Sequence, residues 1–361
     1  MNAMNRLLPV VVLTVLFLGI PAANAYSQWQ TVTGPTVVIL HSVFMVSSTE
    51  GWAVGDAGTI LHYSGGAWSL YTPSPTTADL YSVFMVSSSE GWAVGGPTGP
   101  WPAPSAILHY TAGSWSLLSS PVPWTLYAVY MVGANDGWAV GAADTALHYD
   151  GVSWNPVAGP SIGTYHSVFM VSSTDGWIVG QGGSILHYSG GTWGVYATFP
   201  TTTMLRSVYM VSATEGWSVG DDGTIVHYSA PTWSTVTSPT TEDLYSMFMV
   251  SSSEGWAVGL NGVILHYSGG SWSLYTSSPT TDNLYSVHML SSTEGWVVGG
   301  RWGDPDRGTI LHYSESGGQP RPVGGVALPV NKLGILSPYL ALIGLVGAVT
   351  VAIATTRRRK P

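Results

Sequence analysis

The chain has no cysteine. Its 361 residues therefore carry no disulfide framework, no cysteine nucleophile, no thiolate metal site and no lipidated N-terminal cysteine. Charge is scarce as well, at 8% of residues. A solvated, disordered chain needs far more charge, whereas the 45% hydrophobic fraction is enough for a large core. Basic side chains are scarcest in the middle of the chain. Residues 26–318 hold Arg206, Arg301, Arg307 and no lysine, against all 19 acids, a net charge of −16. That argues against nucleic acid, anionic lipid or polyphosphate as a direct partner. No helix-length hydrophobic period runs through this stretch. No Gly-rich phosphate loop, His-Glu-x-x-His or nucleophile elbow occurs, so no cofactor and no metal is expected.

The two ends read differently from the middle. Arg6 precedes an apolar run from Leu7 to Ile20, and Ala23-Asn24-Ala25 supplies small residues for cleavage. Residues 1–25 thus read as a secretory signal peptide. Residues 319–332 carry three prolines and two glycines and read as a stalk. Residues 333–356 contain no charge. At 1.5 Å per residue they extend about 36 Å, enough to span a bilayer as one transmembrane helix. The basic tail 357–361 follows, which puts the tail in the cytoplasm and residues 26–318 outside the cell. The expected location is the cell surface, as a single-pass protein.

The middle is repetitive. Gly-Trp recurs from Gly51-Trp52 to Gly295-Trp296, seven times, at spacings of 40, 46, 39, 40, 39 and 40. A second series runs Trp29, Trp68, Trp115, Trp154, Trp193, Trp233 and Trp272, and His-Tyr also occurs seven times. Each unit reads as four short strands, A to D. In the first unit these are His41–Ser47, Trp52–Gly55, Thr59–Tyr63 and Trp68–Thr72, rich in β-branched and aromatic residues. Units of about 40 residues with four strands predict propeller blades. The seventh unit stops after "LHYSESGG" without a Trp-led strand D, and the segment around Trp29 is a spare one. The expected fold is all-β: a seven-bladed β-propeller over residues 26–318, closed by an N-terminal strand.

The string "EGWAVGDAGTILHYSGGAWS" resembles the repeat of photosystem II stability/assembly factor propellers. The turn before each second-series Trp resembles a degenerate BNR/Asp-box. Its acidic position holds Asp150 in one unit and Ser or Thr in the others. The resemblance implies a propeller. It is compatible with an enzyme, an assembly factor for a membrane complex or a binding protein. The C-terminal segment is similar to archaeal-type surface anchors.

Sevenfold positions lie about 51° apart and cannot converge on one substrate atom. The His-Tyr histidines are therefore expected to be hydrogen-bonded imidazoles between blades. The acids before each Gly-Trp are expected to serve turns, with the glycine permitting positive φ. The repeated Trp are expected to pack between blades. Specificity then belongs to residues that break the repeat, and strand parity gathers them on the face shared by the D–A and B–C loops. The candidate ligand-binding set there is Trp101, Trp124, Arg301, Trp302, Asp304 and Arg307. The candidate channel rim, one residue per unit before the small residue of strand A, is His41, Tyr81, Tyr127, His166, Arg206, Tyr245 and Tyr285. His288 stands where other units have Phe or Tyr and is expected to line the channel. The leading reading is a membrane-anchored binding or adhesion module for a glycan or protein ligand, with no catalytic residues. The alternatives are an assembly factor for a membrane protein complex, on the resemblance alone, and a carbohydrate-active hydrolase of sialidase-like architecture. The hydrolase would call on the three arginines and on Glu242, Asp243, Asp304 and Asp306.

Overall fold

The computed structural model describes residues 27–100, 102–196, 199–301 and 308–315. The assignments of signal peptide, stalk, transmembrane helix and tail lie outside them. Among the described residues no helix is long and apolar enough to cross a membrane. The strands form seven four-stranded antiparallel sheets, each built from consecutive segments except one. In blade 1 the strands are A (Leu40–Ser47), B (Glu50–Gly55), C (Ile60–Ser64) and D (Ala67–Leu70). In blade 7, Asn283–Ser291, Glu294–Gly300 and Gly308–Glu315 are completed by Ser27–Thr31. That N-terminal strand pairs with the chain's last one in register, Ser27 opposite Glu315 and Thr31 opposite Leu311. The fold is a closed seven-bladed β-propeller.

Burial peaks at the second strand from the axis, since strand A alternates buried with half-buried residues. Strand B is buried from Gly51 to Gly55, whereas strand D buries only Trp68. Each Gly-Trp Trp reaches into the next blade. Trp52 meets Trp115 edge-on at 5.5 Å and Tyr110 at 4.8 Å, and the pattern repeats seven times. The ring-closing copy sets Trp256 of blade 6 against Trp29 at 5.5 Å and 88°. Such edge-to-face pairs add about 0.5–1.5 kcal/mol beyond area burial. The glycine before Trp has a different cause from the one expected. It adopts no positive φ. A Cβ on Gly51 would instead overlap the sulfur of Met45, and the same clash recurs in every blade.

The His-Tyr histidines also depart from expectation. They do not bridge blades: each lies against the Trp of its own blade, six of them stacked, as His62 on Trp52 at 4.1 Å, and His148 tilted on Trp138 at 4.6 Å. Each faces the acid that precedes its own Gly-Trp. Where that acid is Asp the contact is a hydrogen bond, 2.9 Å for His148–Asp136 and 2.7 Å for His187–Asp175. Where it is Glu the separation is 3.6–4.0 Å. These acids start strand B and face the imidazole of their own blade as well as the turn.

In six of the seven seams one hydroxyl ties blades together near the axis. Ser42 Oγ accepts from Val83 N at 3.1 Å, and Ser82, Ser167, Ser207, Ser246 and Ser286 do the same for the blade that follows each. In blade 3 the position is Ala128, so Val168 N has no such acceptor. Ala128→Ser is expected to stabilise the fold by about 1 kcal/mol, and Ser207→Ala to cost about the same. Urea midpoints at unchanged m-values measure both.

Candidate functional site

The rim is assembled by a repeated irregularity. In every blade the register of strands A and B slips by one residue, between Leu40 and Ser42 in blade 1. Residues 41 and 44 would point to opposite sides of a plain strand. One extra residue between them puts both on the axial side. The result is two stacked rings of side chains.

At the rim, ring centroids lie 4.9 Å apart for His41–Tyr81, 5.5 Å for Tyr81–Tyr127 and 5.1 Å for Tyr127–His166. On the other side Tyr245–Tyr285 and Tyr285–His41 are 5.1 and 5.4 Å apart. The Arg206 guanidinium completes the circle, 5.0 Å from the Tyr245 centroid. All seven side chains are partly exposed. Below them, Phe44, Phe84, Tyr130, Phe169, Tyr209, Phe248 and His288 form a closed circle with neighbouring centroids 4.6–5.0 Å apart. His288 thus does line the channel, and its Nδ1 is buried without a hydrogen-bond partner.

Electrostatics sets the protonation of the rim. Burial pushes the Tyr81 phenol up to about 12, helped by Asp79. Burial also pushes Tyr245 up to about 12 against the opposing pull of Arg206. Both stay neutral donors at any physiological pH. Burial and then the Arg206 charge take His166 down to about 4, so its imidazole is neutral. Two rim positions carry an acidic partner from their own B–C loop. His41 Nε2 lies 2.6 Å from Asp56 Oδ1, and Arg206 Nε donates to Asp221 Oδ1. Sequence reasoning missed these two acids. The signal was present: the first loop residue is Asp only in the units whose rim residue is His41 or Arg206, and is Gln181 under His166 and Leu260 under Tyr245.

The D–A and B–C loops share the rim face, as parity implied. Ala57 N donates to Asp79 Oδ1 at 2.8 Å, and Ser74 Oγ to the Gly58 carbonyl at 2.7 Å. Of the loop-face candidates, Trp124 lies in the loop before Leu126–Gly133 with 42% of its surface exposed, and Arg301 is exposed just after Gly300. Trp101, Trp302, Asp304 and Arg307 lie outside the described residues, as does Asp306. Two of the carboxylates proposed for hydrolysis have structural duties. Asp243 accepts from Asp222 N at 3.0 Å, and Glu242 from the Asn261 amide at 3.0 Å. Asp79 and Asn283 brace other B–C loops in the manner of Asp243. Asp150 accepts from Val152 N and Ser153 N at 2.9 Å in the turn before Trp154.

No protein-family profile matches the chain, and no curated protein matches it in sequence. Solved structures share its fold. YCF48 bound to D1 peptide is similar over 80% of this chain and 97% of its own, at 20% identity and a TM-score of 0.64. YCF48 from Cyanidioschyzon merolae is similar over 79% and 98%, at 19% identity and 0.62. The WD40 propeller domain of Doa1 is similar over 80% and 97%, at 15% identity and 0.63. At these identities the likeness is one of fold.

Proposed function

We propose that the chain is a binding propeller, displayed outside the cell on a C-terminal membrane anchor, that holds an extended segment of a protein partner against the rim face. The observation that carries the reading is the rim itself. One partly exposed side chain from each blade, four Tyr, two His and one Arg, meets in one circle, on a disc whose unvarying sevenfold residues are spent on packing. Aromatic bodies with neutral hydroxyl donors suit a hot spot for a polypeptide. Support also comes from YCF48, a propeller of like fold seen with a peptide bound. A peptide array probed with the full-length chain in detergent micelles is expected to return binders. Tyr81→Ala combined with Tyr245→Ala is expected to weaken them by a factor of about 10 to 100. Unchanged binding by this variant would remove the rim from the site. Protease shaving of intact cells tests the topology, with release of the propeller expected.

A further inference from the structure

We infer that the rim is a socket for a single long cationic side chain, so that the partner segment it selects is basic, bearing lysine or arginine. This rests on the reading of the rim as the ligand site and adds the charge class of the ligand.

Size and charge carry it. Neighbouring rim centroids are 4.9–5.5 Å apart, and a heptagon of such sides puts its centre about 6 Å from each ring. That space takes an alkyl stem with aromatic bodies around it and excludes a backbone with its side chains. The charges near the rim are mostly negative. Asp56 pairs with His41 and Asp221 with Arg206, while Asp79 and Asp243 act electrostatically on Tyr81 and Tyr245. Four carboxylates face one guanidinium, and that guanidinium already donates to Asp221. The Tyr81, Tyr245 and Tyr285 phenols and His166 contribute no charge at neutral pH. An anionic ligand would meet this field unfavourably, on a domain with three arginines and 19 acids.

The test uses the full-length chain in micelles and dye-labelled hexalysine, hexaglutamate and hexaserine peptides, read by fluorescence anisotropy. Hexalysine is expected to bind at least about tenfold tighter than the other two, and to weaken as salt rises. Arg206→Tyr installs the residue that four other blades carry and removes the one rim arginine, so it is expected to tighten hexalysine about threefold or more. Asp56→Gln with Asp221→Gln copies the loop residue of blade 4 and is expected to weaken it about tenfold. Glu90→Gln with Glu254→Gln, on the opposite face, is the control for diffuse attraction and is expected to change little. Circular dichroism melts check that each variant folds. A weaker or unchanged Arg206→Tyr complex overturns the inference, as does equal loss from the opposite-face pair. If hexaglutamate or hexaserine binds best and Tyr81→Ala with Tyr245→Ala abolishes it, the charge class is wrong and the rim reading stands. If that tyrosine pair leaves every peptide unaffected, the rim reading itself falls.

Discussion

Trp29→Ala is expected to cost about 3–5 kcal/mol and to lower the melting temperature by roughly 10 °C. Trp29 is 2% exposed, packs edge-on against Trp256 and lies 5.0 Å from Tyr313. Those contacts match the ones Trp68 makes in blade 1 with Trp296 and Tyr63. The difference is connectivity. Strand D of blade 1 follows its strand C directly in sequence, whereas Trp29 sits on the strand that the other end of the chain must find. Removing Ser27–Thr31 altogether would take away that strand's pairing with Gly308–Glu315 and bare the edge of blade 7. Loss of a single cooperative transition is the expected outcome, visible as fluorescence and circular dichroism midpoints that no longer coincide. Trp124→Ala, on an exposed loop residue, is expected to move the melting temperature little.

Mild acid is expected to destabilise the propeller steeply between about pH 6.5 and pH 4. Burial lowers the His288 imidazole from 6.5 to about 4, and burial with Arg206 lowers His166 equally. His62, His266 and His312 are also lowered, by burial first. The unfolded chain therefore binds protons that the folded chain refuses across this window, and stability rises with pH there. The contribution is complete above pH 6.5 and lost as pH falls through the folded values. A drop from 6.5 to about 4 corresponds to about 3 kcal/mol for His288. His288→Phe places the residue of blade 1 or blade 6 in the lower ring and removes the orphaned Nδ1. It should recover that much at pH 4.5 and far less at pH 8, read from urea unfolding at both.

The blade count, the closing strand and the packing role of the repeated Trp were legible because sevenfold repetition averages out local ambiguity. The seven rim residues were legible too, from their place before the small residue of strand A. What the sequence hid was the bulge. One extra residue leaves no mark on a pattern of short strands, yet it alone explains how His41 and Phe44 come to line the same channel. The positive φ expected after each acid was a misreading of a glycine kept small for Met45. That contact spans two strands and has no signature in either. The pairing of His62 with Glu50 joins residues that are separated by a hairpin and hidden by their own periodicity.

Ser27 and Glu315 sit opposite each other at one end of a ladder. The strand ending at Glu315 runs away from the rim, and the strand starting at Ser27 runs back towards it. The chain thus arrives and departs side by side, on the underside of the disc. A fluorescent protein, a bead linkage or any other handle fused at either point hangs beneath, leaving the upper surface open to whatever approaches from solution.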